Sequence, residues 1–222
     1  MRPAFDPTLY LVTDPELGGG RPLAEIVAAA VRGGVTLVQL RDKRAEGRRL
    51  LDQALKLKAV LDPLGVPLIV NDRADVAFAA GAAGVHVGQS DLPAKAARRL
   101  LGPDAIVGLS LDRPEDLAQA EPAVVDYVAY GPVFATATKG DSGPAVGTEG
   151  IAALRARTTL PLVAIGGLNA ENLGAAVRAG ADGISLVSAI MAARDPEAAA
   201  RRLCAAIEAA RSSPSSEEEL SP

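Results

Sequence analysis

The 222-residue chain is 49% hydrophobic and 23% charged, with 3% aromatics and a formal net charge of −4. That balance is ordinary for a globular protein able to bury a substantial core, while the acidic sign and the absence of basic–aromatic clusters argue against a nucleic-acid surface. A single cysteine excludes an intrachain disulfide and fits a reducing, cytoplasmic setting; no secretory leader and no apolar run of about 18 residues is present, so neither secretion nor a membrane span is expected.

A strand-like run followed by a helix-like run recurs along the chain. Strands are predicted at Leu9 to Val12, Leu37 to Leu40, Leu68 to Val70, Val85 to Val87, Ile106 to Leu109, Tyr127 to Tyr130, Leu162 to Ile165 and Ile184 to Val187. Helical apolar spacing marks Leu23 to Arg32, Arg48 to Leu61, Ala94 to Leu101 and Leu173 to Ala179. Glycines at Gly33-Gly34, Gly65, Gly81 and Gly180 supply helix stops. The strands are short and almost wholly apolar, as parallel strands covered on both faces should be. Eight such units predict an α/β fold, a (β/α)₈ TIM barrel forming one domain over residues 1–211. An open doubly wound sheet would call for a Gly-rich first turn, where this chain has Thr13-Asp14-Pro15. Residues 212–222 are polar and acidic, without apolar periodicity, and are expected to be a disordered tail.

In a barrel the loops after the strands share one face, and that face carries the chemistry. Here nearly every strand runs into a polar group. The second gives Gln39-Leu40-Arg41-Asp42-Lys43, the third Asn71-Asp72, the fourth Gln89-Ser90-Asp91 and the fifth Ser110. The sixth leads to Thr136-Ala137-Thr138-Lys139, the seventh to Gly166-Gly167 and the eighth to Val187-Ser188. The opposite loops, such as Gly65-Val66-Pro67, read as plain turns.

Asp72 and Asp91 end neighbouring strands and would emerge side by side. Two such carboxylates suit Mg²⁺, which takes one or two protein carboxylates plus substrate phosphates. Either could instead cap the helix that follows it. Arg41 and Lys43 alternate with Asp42, so an extended segment turns both cations to one side, toward an anion. Only five lysines occur, and Lys43 and Lys139 both fall in these loops. Thr136 and Thr138 offer two hydroxyls on one face. Gly166-Gly167 and Ser188 occupy the place where barrels commonly hold a phosphate through backbone N–H groups. His86, the only histidine, lies within a strand and reads as a packed or supporting residue. Two separate anion grips imply two phosphorylated substrates, one of which loses diphosphate. Such chemistry needs leaving-group stabilisation more than a strong base. The loop from Gly140 to Gly147, with its glycines and Pro144, suits a lid.

Across residues 9–195 the chain resembles the thiamine-phosphate synthase (thiamine-phosphate pyrophosphorylase) family. The matching stretches are Tyr10-Leu11-Val12-Thr13-Asp14, Val38-Gln39-Leu40-Arg41-Asp42-Lys43, Asn71-Asp72-Arg73 and Gly84-Val85-His86-Val87-Gly88-Gln89-Ser90-Asp91-Leu92-Pro93. Further on stand Gly108-Leu109-Ser110, Gly131-Pro132-Val133-Phe134, Thr136-Ala137-Thr138-Lys139, Ala164-Ile165-Gly166-Gly167-Leu168 and Val187-Ser188-Ala189-Ile190.

The resemblance implies a TIM-barrel transferase that joins a pyrimidine methyl diphosphate to a thiazole phosphate, by way of a pyrimidine cation, with release of pyrophosphate. It implies that Gln39, Leu40, Arg41, Asp42, Lys43, Asn71, Ser110 and Lys139 hold the pyrimidine diphosphate. Arg41, Lys43, Ser110 and Lys139 would be the catalytic groups among them. Thr136, Ala137, Thr138, Gly167, Val187 and Ser188 would hold the thiazole phosphate, and Asp72 and Asp91 would ligate Mg²⁺. No nucleic-acid or membrane partner is expected, and family members commonly self-associate. Relatives often carry a histidine where this chain has Asp112. Thiazole tautomerases on the same barrel use that histidine for proton transfer, so its absence ranks a tautomerase second. A silent phosphate-ligand sensor ranks third.

Overall fold

Each of the eight apolar runs finds a strand on either side of it. A computed structural model describes residues 5–136 and 143–212. Its strands are β1 (Leu9–Val12), β2 (Leu37–Leu40), β3 (Leu68–Asn71), β4 (Gly84–Val87), β5 (Ile106–Leu111), β6 (Tyr127–Tyr130), β7 (Leu162–Ile165) and β8 (Gly183–Leu186). Consecutive strands pair in parallel and β1 pairs with β8, so the sheet closes into a barrel. The helices are α1 (Leu23–Arg32), α2 (Gly47–Leu61), α3 (Ala74–Ala80), α4 (Ala94–Leu101), α5 (Gly147–Arg155), α6 (Leu173–Arg178), α7 (Ser188–Met191) and α8 (Pro196–Ser212). The connection from β5 to β6 carries only a 3-10 turn, Pro114–Gln119.

The strand bounds depart from expectation by one or two residues, each for a visible reason. β5 runs on to Leu111 because Ser110 and Leu111 stay in register with Ala129 and Tyr130 of β6. β8 stops at Leu186 because Val187, at φ −119° and ψ −82°, already turns the chain into α7. The last helix takes in Ser212, the first residue of the expected tail, and residues 213–222 lie outside the described residues.

Period-2 alternation divides the strands between two cores. Leu9, Leu11, Val38, Leu40, Val70, Val85, Val107 and Val128 face outward. They pack against helix residues such as Ile26, Leu50, Ala77, Leu154 and Leu203. Tyr10, Val12, Leu37, Ile69, Ile106, Tyr127, Ala129 and Val163 face inward and fill the barrel. Each fully buried Leu or Val contributes about 1.5–3 kcal/mol.

The loops entering the strands are more than plain turns. Asp126, just before β6, accepts the Val107 N–H at 2.7 Å and pairs with Arg98 of α4 at 2.5 Å. Asp182, just before β8, accepts the Leu162 N–H at 2.8 Å and pairs with Arg155 of α5 at 2.8 Å. These pairs tie helices to strand starts at one end of the barrel. Half-buried Cys204 gives its thiol to the Gly34 carbonyl at 3.3 Å, and burial raises its pKa, away from thiolate chemistry. Among the described residues no helix is long and apolar enough to cross a membrane.

Candidate active site

The C-terminal ends of the strands surround a cavity of about 700 Å³. Arg41, Lys43, Asn71, Asp72, Asp91, Ser110, Thr136, Gly167, Val187 and Ser188 all line it. A depression of about 590 Å³ at the opposite end is lined by Arg155, Asp182 and Arg211. Its charges are already engaged: Arg155 pairs with Asp182, and Arg211 donates to Thr8 Oγ1 and the Asp182 carbonyl.

The carboxylate pair comes from an abrupt bend after β3. The Asp72 N–H still bonds the His86 carbonyl at 2.8 Å, continuing the pairing of β3 with β4. Asp72 then takes φ +60°, alone among the described non-glycine residues. Aspartate tolerates this left-handed conformation better than most side chains. Neither aspartate caps a helix. Arg73 holds the N-cap position of α3 and Pro93 that of α4, each without a side-chain cap bond. Asp91 Oδ2 instead accepts the Gly88 N–H within its own loop, at 2.9 Å.

Asp72 is thereby brought within hydrogen-bonding reach of Asp91. Burial first, then the hydrogen bond and negative charge of Asp91, push the Asp72 carboxyl from 3.8 up to about 6. The nearby Lys43 ammonium and a bond from Asn71 pull the other way and do not cancel the rise. The Asp72 carboxyl therefore keeps its proton in mildly acidic solution, and a cation would compete with that proton for the same place. The donor set is two carboxylates facing a cavity, and the described residues contain no cluster of three or more His, Cys, Asp or Glu metal ligands. Such a sparse oxygen site fits Mg²⁺, which would fill its remaining positions from phosphate and water.

The segment after β2 alternates as its sequence suggests. Arg41 and Lys43 face the cavity. Asp42 faces α2, accepting from the Arg44 and Ala45 amides at 3.1 Å and from Gln53 Nε2 at 3.0 Å. Thr13, fully buried, braces this loop by accepting the Arg41 N–H at 2.9 Å. Three residues expected at the pyrimidine diphosphate therefore lie away from the cavity lining. Asp42 staples its loop, Leu40 packs in the outer core, and buried Gln39 donates to Tyr10 OH at 2.6 Å.

Across the cavity, β7 delivers Gly166 at φ +93° and Gly167 at φ +67°. A Cβ on Gly166 would sit 2.5 Å from Pro132 Cβ, and one on Gly167 would sit 2.5 Å from the Phe134 carbonyl oxygen. Only glycine admits this approach of the β6 and β7 loops. The loops are also bonded together, Val133 N–H to Ile165 O at 2.9 Å and Phe134 N–H to Gly166 O at 3.1 Å. Asn172 holds the Gly167 carbonyl from behind at 2.8 Å. The result is a rim of backbone groups with Ser188 beside it at the start of α7. Ala137, Thr138 and Lys139 lie outside the described residues, as does the 140–142 part of the expected lid, whereas Gly143, Pro144 and Val146 line the cavity.

Beneath the cavity, His86 and Ser110 are joined by Tyr10, Tyr127 and Ser185, to which no role was assigned from sequence. His86 is buried, its Nδ1 at 2.9 Å from Tyr127 OH and its Nε2 at 2.8 Å from Ser110 Oγ. Tyr127 OH in turn lies 2.7 Å from Tyr10 OH. Ser185 of β8 also lines the cavity, and its buried hydroxyl has no hydrogen-bond partner among the described residues. The available signal was the alternation of each strand, which turns Tyr10, Tyr127 and Ser185 inward.

A family model described as thiamine monophosphate synthase matches residues 9–190. The chain is 56% identical to the thiamine-phosphate synthase of Azorhizobium caulinodans over 207 residues, covering 93% of this chain and 98% of that one. It is 54% identical to that of Albidiferax ferrireducens over 201 residues, covering 90% and 92%. A solved structure of thiamine phosphate pyrophosphorylase from Pyrococcus furiosus superposes with a TM-score of 0.83 at 34% identity, over 92% of this chain and 96% of that one.

Proposed function

The chain belongs to the thiamine monophosphate synthase family, and on that premise we propose that it joins a pyrimidine methyl diphosphate to a thiazole phosphate. The products are thiamine phosphate and pyrophosphate. The observation that carries this reading is the pairing of Asp72 with Asp91 beside Lys43 on one wall of the cavity, opposite a neutral backbone rim.

Arg41, Lys43 and Asn71 bind the diphosphate, joined by Lys139 from the loop after β6. Asp72 and Asp91 would hold Mg²⁺, which would supply positive charge to the diphosphate. The bond from the pyrimidine methylene carbon to the diphosphate oxygen breaks, and its electron pair leaves with pyrophosphate. Arg41 and Lys43 stabilise that developing charge from fixed positions. Ser110, on the floor, contacts and orients the pyrimidine ring. Thr136, Thr138 and the backbone of Gly167, Val187 and Ser188 hold the thiazole phosphate, whose ring nitrogen supplies the lone pair for the new C–N bond. No proton has to be removed in either step, which agrees with a site whose one histidine has both ring nitrogens engaged. We place the enzyme in the cytoplasm on its lone cysteine.

The test is pyrophosphate release from the pyrimidine methyl diphosphate, with and without thiazole phosphate and Mg²⁺. Release that needs both, with thiamine phosphate formed, supports the assignment. Tight ligand binding with no release overturns it and makes thiazole isomerisation the next assay.

A further inference from the structure

Five side chains from five strands form an unbroken hydrogen-bonded chain through the barrel interior. Gln39 Nε2 donates to Tyr10 OH at 2.6 Å, and Tyr10 OH meets Tyr127 OH at 2.7 Å. Tyr127 OH meets His86 Nδ1 at 2.9 Å, and His86 Nε2 meets Ser110 Oγ at 2.8 Å. Gln39, Tyr10 and Tyr127 lie away from the cavity lining; Ser110 faces the cavity. The fold makes room for the central junction. A Cβ on Gly108 of β5 would collide with both Tyr127 OH and His86 Nδ1. The rings support one another as well, His86 stacking on Tyr127 with centroids 5.4 Å apart and Tyr10 meeting Tyr127 edge-on at 5.9 Å.

A chain of this kind has only two consistent directions, because each hydroxyl carries one proton and a neutral imidazole carries one N–H. Burial raises the pKa of both phenols, so Tyr10 and Tyr127 keep their protons and can relay direction without losing one. With Gln39 donating, the buried Tyr10 O–H has Tyr127 as its acceptor and passes its proton there. Tyr127 then passes its own to His86 Nδ1. The imidazole N–H is left on Nε2, pointing at Ser110 Oγ. Turned round, an acceptor at position 39 would reverse every bond and make Ser110 spend its proton on His86.

We propose that Gln39 sets the direction of this chain, fixing His86 as the Nε2–H tautomer, so that Ser110 presents its O–H as a donor to the ligand. Resting on the synthase reading above, the recognised group is a hydrogen-bond-accepting atom of the pyrimidine ring. Gln39, Tyr10 and Tyr127 are positioning residues that act through His86 and Ser110. The asymmetry also gives the floor a specificity role. A ring with an acceptor at the position facing Ser110 is welcomed, and one with a donor there meets an O–H with no partner.

Because His86 is the only histidine, ¹⁵N-histidine labelling of the intact, ligand-free protein reports a single ring. The wild type is expected to show one neutral tautomer, protonated at Nε2. Gln39→Glu, nearly isosteric and able only to accept when ionised, is expected to reverse the chain and move the proton to Nδ1. Tyr10→Phe keeps the packing but cuts the link to Gln39, and is expected to give a mixture of tautomers. It also covers the case in which a carboxylate buried at position 39 prevents folding. In Gln39→Glu, kcat should fall roughly tenfold to a hundredfold, the loss of one to two hydrogen bonds to a polar ligand, with the KM for thiazole phosphate unchanged. A wild-type ring protonated at Nδ1 or at both nitrogens would overturn the proposal, as would an unchanged single tautomer in the folded variants. The spectra need no substrate, so a failed synthase assay leaves what they say about the chain intact.

Discussion

The wall of the cavity built from β2, β3 and β4 differs in kind from the wall built from β6, β7 and β8. The first presents charged side chains, Arg41, Lys43, Asp72 and Asp91, that reach in from loop positions. The second presents backbone, brought close by Gly166 and Gly167 and bonded to its neighbours on both sides. Charge can respond to a ligand that changes its own charge, and so suits a diphosphate that departs as the bond breaks. Neutral backbone donors suit an anion whose charge does not change, since they need geometry rather than ionisation. The difference also decides what each wall sacrifices. On the charged wall an acid is kept partly protonated at mild pH; on the neutral wall the chain is kept at positive φ.

Removing a carboxylate should separate the two walls most sharply. Asp91→Ala is expected to lower turnover by several kcal/mol of transition-state stabilisation, about a hundredfold or more. The barrel should remain folded, since Asp91 lies in a loop and its side chain meets other loop groups, the Gly88 amide and the Asp72 carboxyl, rather than the core. Steady-state rates at limiting Mg²⁺, with circular dichroism as the folding control, make the check. Wild-type rates in that variant would remove Asp91 from the metal assignment.

Gly167→Ala attacks the other wall. A methyl at φ +67°, 2.5 Å from the Phe134 carbonyl, is expected to destabilise the protein by roughly 1 to 3 kcal/mol. Its kinetic signature should be a raised KM for thiazole phosphate with that for the pyrimidine diphosphate little changed. Equal effects on both substrates would show that the walls are not independent. Lys56→Ala, exposed on α2, is the control for surface charge and should change neither KM.

Asp72→Asn probes the stored acid without ligands. A folded-state pKa near 6, above the ordinary 3.8, means that the folded protein binds a proton the unfolded chain has released. Stability therefore falls as pH rises between about 4 and about 6, and the penalty is complete above that window. Replacing the acid by a neutral amide should recover about 1 kcal/mol at pH 7, a figure already reduced for the group's partial exposure. That gain should vanish below pH 4. Urea unfolding in the presence of a chelator reads it, and added Mg²⁺ should stabilise the wild type but not the variant.

The two walls were not equally readable beforehand. Strand ends such as Asn71-Asp72 and Gln89-Ser90-Asp91 stand out because each apolar run breaks abruptly into polar and charged groups at the same end of the barrel. Even the split of Arg41 and Lys43 from Asp42 follows from alternation. The Gly-Gly pair was legible only through its place in the barrel, since glycines mark turns everywhere. Gln39 and Leu40 lie away from the cavity lining because both belong to the strand itself, one facing the interior chain and one the outer core. Tyr10 and Tyr127 stayed hidden because a tyrosine within Leu9-Tyr10-Leu11-Val12 or Tyr127-Val128-Ala129-Tyr130 looks like packing. Only closure of the sheet brings β1 opposite β6 and joins their hydroxyls.

Ser185 refines the comparison at its smallest scale. Its register partner on β7 is Ile165, the residue before Gly166, so it belongs to the backbone wall. Yet its buried hydroxyl has no partner among the described residues, and such a group costs about 1 kcal/mol or more. A residue kept for packing alone would be better as alanine. If the hydroxyl is kept for a ligand on its own wall, Ser185→Ala should raise the unfolding free energy by up to about 1 kcal/mol. The same change should raise the KM for thiazole phosphate a few-fold and leave the pyrimidine diphosphate unaffected. A gain in stability with both KM values unchanged would take Ser185 out of the second wall's grip and leave that wall to backbone alone.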